Sequence, residues 1–496
     1  MELEFEKVSI PCLRSVLREV KEQEETLELR VQDGQPDVER VVTCWGQPVI
    51  RTKEWRNNGV CINGGISLRV LYVSEQENDI QCLEAWMPFQ VKCDFKDYED
   101  DGWVTVHPLL HSLDARMVSE RKILLRAVVG MYLDAMVRGK VELCTPGNTP
   151  EDIQLLKKTY SVQIPRNMGE KAFSVEEQIT LPGTLSKVLY YNIAPTVTEK
   201  KVIADKVIFR GVLCLHMLYC DVSGQIVPFD TELLFSQFSE LGADFSPEAE
   251  VQVTVTVSGL DLEKGEDGNH KLTAGLIGQY LILDREELTL LEDAYSHARE
   301  VSVSCEHLCL PATVSGEVCK YQACGTIDDQ DLHIIDGMFY PAQSMCYKDN
   351  DGLVTQHSGF FSILGYDNEG RLVSKNQSWN ESDHSPWKEN KKSVCIPLVA
   401  VCPKISAAGL KTELAADVTA DRIAFEDMNV QMVTKLSAND ELQKSDDRPA
   451  LILRKAGGAT LWELAKSSFS TVDRIKEAND LQEQPDPDRM LLIPVI

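Results

Sequence analysis

One pattern recurs three times along the chain and constrains its fold more than any other feature. The first copy reads Gly64-Gly65-Ile66-Ser67-Leu68-Arg69-Val70-Leu71-Tyr72 and the second Gly211-Val212-Leu213-Cys214-Leu215-His216-Met217-Leu218-Tyr219. The third reads Ser358-Gly359-Phe360-Phe361-Ser362-Ile363-Leu364-Gly365-Tyr366. The three tyrosines are spaced evenly at 147 residues, and Gly64, Gly211 and Ser358 stand eight positions before them. Internal self-similarity at a fixed period marks a repeated structural unit. Leu213, Leu215, Met217 and Tyr219 alternate along the second copy, which predicts a strand. A polar turn follows each copy: Ser74 to Asp79, Asp221-Val222-Ser223-Gly224, and Asp367-Asn368-Glu369-Gly370. Such clusters suit hairpin turns, so each repeat is centred on a β-hairpin.

More of the repeat can be matched. A short alternating stretch runs up to a proline at Leu29 to Pro36, Val175 to Pro182 and Val303 to Pro311. Later strands are expected at Trp103 to Val106, Val251 to Val255 and Val394 to Val399. The length of 496 residues fits about three domains plus a small extra one. The expected order is repeat 1 over 1–140, repeat 2 over 141–296, repeat 3 over 297–438, a polar linker over 439–448, and a terminal module over 449–496. Three separate β-rich domains follow, each tyrosine at the same place on the same strand.

The terminal module changes register. Leu451 to Arg454 reads as a short strand, and Thr460 with Glu463 forms a capping box at a helix start. Ser470 with Asp473 opens a second helix, Val472 and Ile475 facing inward, and Met490 to Pro494 closes as a strand. The fold class is therefore mainly β: three tandem β-rich domains followed by a small β-α-α-β domain.

Composition limits the function classes. Basic residues number 50 and acidic ones 78, giving a formal charge of −28. Such a balance argues against non-specific binding to nucleic acid or anionic lipid. The opening Met1 to Lys7 lacks the basic and apolar regions of a secretory signal, and no stretch reads as a membrane span, so the chain is expected to stay where it is made. The 15 cysteines are expected to be reduced.

Two Cys/His groups invite a metal reading: Cys305, His307 and Cys309, and Cys214, His216 and Cys220. Val301, Val303, Cys305, His307 and Cys309 share one strand face, and a core face explains that register without zinc; no paired C-x-x-C knuckles exist. His107 and His111 flank Pro108, which spoils a helical ligand pair. Asp349-Asn350-Asp351-Gly352 lacks the downstream ligands of a calcium loop and reads as a turn. Phosphate-loop, nucleophile-elbow and zinc-protease motifs are missing. We expect no catalytic residue, cofactor or metal. Asn376-Gln377-Ser378 and Asn380-Glu381-Ser382 match the glycosylation sequon by chance in a polar loop.

The segment Gly458-Ala459-Thr460-Leu461-Trp462, with Ile475, Asn479 and the ending Leu491-Leu492-Ile493-Pro494, resembles a LysM domain. That family's usual acidic residue is Ala459 here, its opening aromatic is Leu451, and the glycine before its last strand is Asp488. The resemblance implies N-acetylglucosamine binding through the two strand–helix loops, which the altered Ala459 loop weakens. The repeats, from Leu3 to Leu436, resemble the SPOCS domain of endospore-forming bacteria on their Tyr72, Tyr219 and Tyr366 strands and hairpin turns. SPOCS repeats followed by one LysM domain are similar to SipL-like spore-envelope morphogenetic proteins. That likeness implies a scaffold in the mother-cell cytoplasm, at the forespore surface, whose LysM domain engages a coat-basement morphogenetic ATPase. Other coat proteins, further copies of the chain and glycan are the remaining candidate partners. The residues implied in partner binding are Gly458, Ala459, Thr460, Trp462, Asn479 and Leu481. Leu461 and Leu464 define the inward helix face and Trp462 lies about 100° away from Leu461, which leaves its indole to a partner contact or to plain packing.

Overall fold

The computed structural model describes all residues except 1, 57–58, 76–78, 96–101, 184, 265–268, 328–331, 350–351, 386–390, 401–403, 409–410 and 440–448. After a two-residue strand β1 (Glu2–Leu3), repeat 1 holds β2 (Phe5–Arg30), β3 (Val38–Arg56), β4 (Gly59–Ser74), β5 (Ile80–Asp94), β6 (Gly102–Ser119) and β7 (Lys122–Pro146). Repeat 2 holds β8 (Ile153–Ile179), β9 (Leu185–Ile203), β10 (Lys206–Asp221), β11 (Ile226–Glu240), β12 (Glu250–Lys264) and β13 (His270–Ser296). Repeat 3 holds β14 (Val301–Ile327), β15 (His333–Asp349), β16 (Gly352–Tyr366), β17 (Leu372–Ser385), β18 (Lys391–Ala400), β19 (Lys404–Ala408) and β20 (Lys411–Ala438). The terminal module is β21 (Leu451–Lys455), α1 (Leu461–Ser467), α2 (Val472–Ala478) and β22 (Met490–Pro494).

Every repeat has one topology. Its second, third and fourth strands form an antiparallel meander, and its first, sixth and fifth form a second antiparallel sheet. In repeat 3 the place of the fifth strand is shared by β18 and β19, both paired with β20. The middle meander strands β4 and β10 are buried on both faces, which is why they read as near-continuous apolar runs.

Register places the repeated residues. Gly64 lies opposite Phe89, Gly211 opposite Phe235, and Gly359 opposite Trp379. A Cβ on Gly211 would meet the Thr196 carbonyl oxygen at 2.1 Å and the Phe235 ring at 2.4 Å. The glycine is required because an aromatic side chain and a carbonyl close over its backbone. In repeat 3 this place belongs to Gly359 rather than the expected Ser358.

The third tyrosine also differs from expectation. Asp221 and Asp367 start equivalent turns: each accepts backbone N–H bonds two and four residues on, with Gly224 and Gly370 at positive φ. Tyr219 pairs two positions inside that turn, with Val227, whereas Tyr366 pairs at the turn's edge, with Leu372. Tyr366 stands one residue nearer both its glycine and its turn than Tyr219 does, so repeat 3 is two residues shorter between Gly359 and Asp367 than repeat 2 is between Gly211 and Asp221. The slip moves Tyr366 to the opposite face, half-buried, while Tyr72 and Tyr219 are enclosed. Pro311 is likewise no counterpart of Pro36 and Pro182, because it sits inside β14, opposite Asp427. The first boundary moves as well: β7 runs through residue 140 to Pro146. The turn at Ser74 to Asp79 lies partly, and Asn350-Asp351 and most of the 439–448 linker wholly, outside the described residues.

The three β-rich repeats pack tightly against one another. One apolar core joins Trp45, Leu68 and Leu71 of repeat 1 to Leu189, Tyr190 and Leu218 of repeat 2 and Met338, Tyr340 and Leu364 of repeat 3. Trp45 stacks on Tyr190 with ring centroids 5.0 Å apart. Repeat 1 meets repeat 2 through buried Gln279, whose side chain donates to the Val106 carbonyl at 2.7 Å and accepts from the Val106 N–H at 2.9 Å. Lys53 adds a 2.7 Å bond to the Gln279 oxygen. Repeat 3 returns to repeat 1 through Arg40, which donates to the Leu372 carbonyl at 2.7 Å, and through β1, which pairs with the end of β20. The three repeats thus close a ring.

Candidate functional site

The equivalent positions Arg69 and His216 on β4 and β10 each reach the next repeat. Arg69 places its guanidinium 4.4 Å from the centroid of the Tyr191 ring. His216 bonds to Asp230 of its own hairpin at 2.8 Å and to Asp336 of repeat 3 at 3.1 Å. Burial works against its charge, yet the bonds to the two aspartates prevail and lift the imidazole to about 10. His216 is therefore a buried cation tying repeats 2 and 3. It borders a cavity of about 150 Å³ where the three repeats meet, lined also by Gln47, His107, Asn192 and Tyr340.

The two suspected thiol groups have different fates. Cys214 and Cys220 are buried, and His216 serves carboxylates rather than thiolates. Cys305, His307 and Cys309 do not share a core face with Val301 and Val303. A register shift between Ser304 and Cys305 turns all three to solvent. Asn376 and Asn380, expected in a loop, are exposed on β17. Among the described residues, the possible metal ligands that converge are Asp37, Glu75 and Glu120, and two of them are exposed.

The terminal module assembles around Leu461, Leu464, Ala465, Ile475, Leu491 and Ile493. Thr460 caps α1 and Glu463 returns the bond, a complete capping box. The second helix is capped by Thr471, which accepts from the Arg474 N–H; the expected cap Ser470 instead donates to the Pro494 carbonyl. Gly458 is exposed at a φ of 81° in the first loop, and Ala459 and Leu481 pack against the module's core. Asn479 stitches α2 to β22: its amide donates to the Ile475 carbonyl at 2.8 Å and the Leu492 carbonyl at 2.6 Å, and its oxygen accepts from the Leu492 N–H at 2.8 Å. A groove of about 400 Å³ opens between Thr460-Leu461-Trp462 and Gln482-Glu483-Gln484.

Trp462 faces the chain's own second repeat. Its indole N–H donates to Asp293 Oδ2 at 2.8 Å, and Lys466 reaches both Asp293 oxygens at 2.8 and 2.7 Å. The Tyr295 ring meets Trp462 edge-on at 4.8 Å, and its hydroxyl donates to the Ser470 carbonyl at 2.8 Å. Sequence reasoning missed this seat, whose only signal was an acid and an aromatic at the end of β13. Leu451, Leu453, Met490 and Leu492 are exposed on the module's two-stranded sheet.

Residues 37–118 and 185–264 match the family model described as SipL, SPOCS domain. The two segments cover equivalent strands, β3 to β6 and β9 to β12. No curated protein and no solved structure matches the chain. Repeats 1 and 2 are thus similar to the SPOCS domain, and repeat 3 shares their strand topology. These two segments are SipL-like, and that likeness points to a sporulation-related role.

Proposed function

We propose that the chain is a non-enzymatic scaffold of spore coat and envelope assembly. Its terminal module, read as a LysM domain, docks on a coat-basement morphogenetic ATPase at the forespore surface, on the mother-cell side. The observation that carries this reading is the pairing of a closed SPOCS ring with one compact module of different fold. The module holds six basic residues (Arg454, Lys455, Lys466, Arg474, Lys476, Arg489) and seven acidic ones (Glu463, Asp473, Glu477, Asp480, Glu483, Asp486, Asp488), so the body carries nearly all of the −28 charge. A near-neutral module suits apolar and hydrogen-bonded docking. Affinity purification from sporulating cells, with and without residues 449–496, is the test. Recovery of the ATPase only with the full chain supports the scaffold; equal recovery refutes LysM docking.

A second reading, binding of N-acetylglucosamine polymers of cortex or wall, is favoured by the groove beside Trp462. Pulldown on glycan chains separates the two. Capture by glycan without any coat protein would replace the first reading.

A further inference from the structure

We propose that repeat 2 holds the terminal module in a seated state that engages the indole N–H and one edge of Trp462, and that the module's partner binds after release from this seat. This rests on the scaffold reading above. The seat is built, not incidental. Counting back from the last residue of each repeat's final strand, Tyr295 and Asp293 correspond to Thr145 and Leu143 in repeat 1 and to Ser437 and Lys435 in repeat 3. Neither of those pairs offers an acid or an aromatic ring. A register shift between Leu291 and Asp293 re-aims the strand where the acid is needed. Tyr295 is almost fully enclosed and belongs to the module's own apolar core. Leu156 of repeat 2 also stands at the margin of the groove beside Trp462.

The seat rests on few groups: one indole, one ammonium, one carbonyl and one aromatic edge. The chain tethers the module beside it, so a modest intrinsic affinity suffices to keep it seated. A partner that needs the Trp462 edge meets only the released fraction, and its apparent affinity is reduced by that fraction.

The test uses the full chain carrying Asp293→Lys, which opposes Lys466 with like charge, and separately Tyr295→Ala. Hydrogen exchange over residues 461–470 and Trp462 fluorescence report release. Binding to the purified coat ATPase is measured on the same proteins. Release should raise exchange and tighten binding about tenfold to a hundredfold. Raised exchange with unchanged affinity would overturn the competition. So would loss of binding on Leu453→Glu or Leu492→Glu with Asp293→Lys neutral, because the partner would then occupy the exposed face of the β21–β22 sheet. Unchanged exchange in both seat variants would overturn the seat itself. If exchange rises but neither the wild type nor any released form binds the ATPase, the scaffold reading fails while the seat stands.

Discussion

Replacing His216 with leucine removes the cation that two carboxylates share across the junction of repeats 2 and 3. Asp336 is only 8% exposed, so the variant leaves a buried charge without its partner. Breaking such a pair costs about 3–5 kcal/mol. The proton equilibrium gives a second measure. His216 is raised from 6.5 to about 10 by Asp230 and Asp336 against the opposing effect of burial. A raised histidine stabilises the fold fully below its unfolded value, and that stability is lost as pH climbs through the folded value. The window is thus about 6.5 to 10, and the contribution is at most about 5 kcal/mol. Thermal melting at about pH 7 and about pH 10.5, with hydrogen exchange over β10 and β15, reads both effects. His216→Leu should melt well below the wild type at neutral pH and close to it at the alkaline end. His216→Leu with Asp336→Leu should recover much of the loss, because the orphaned charge is gone. A constant gap between wild type and variant across the whole pH range would refute the reasoning.

Two further perturbations probe the ring and the repeat. Gln279→Leu should destabilise the junction of repeats 1 and 2 by about 2–4 kcal/mol, because the Val106 N–H and carbonyl lose their partners in a buried setting, and denaturant melts check this. Gly211→Ala should cost about 1–3 kcal/mol as its methyl displaces Phe235 or the β9 backbone, visible as a lower melting temperature; a neutral result would mean the strands are not so closely apposed.

Local physics was legible in the sequence. The apolar alternation of Leu213, Leu215, Met217 and Tyr219 marks β10, and Thr460 with Glu463 marks the start of α1. Both signals act within a few residues. What the sequence hid was register and distance. A one-residue offset from Gly359 and from Asp367 turned Tyr366 over, and a shift at Ser304 moved Cys305 from core to solvent. An even spacing of tyrosines conveys neither, since a strand reverses its faces with each one-residue slip. The His216–Asp336 and Trp462–Asp293 contacts join residues 120 and 169 positions apart, and no local pattern announces them. Of the six residues assigned to the partner, Asn479 is engaged in stitching the module together and Trp462 is bonded to repeat 2.

The pairing of β1 with β20, beside the Arg40–Leu372 contact, has an evolutionary consequence. Open repeat arrays lengthen or shorten by duplication or deletion, since each unit touches only its neighbours. Here the first repeat also abuts the third, and all three share a core around Trp45, Tyr190 and Tyr340. An inserted fourth copy would have to break that closure, and a deleted one would uncover the core. Copy number is fixed by geometry, so divergence is free to act within each repeat, and the Asp293–Tyr295 pair of the second is one such specialisation.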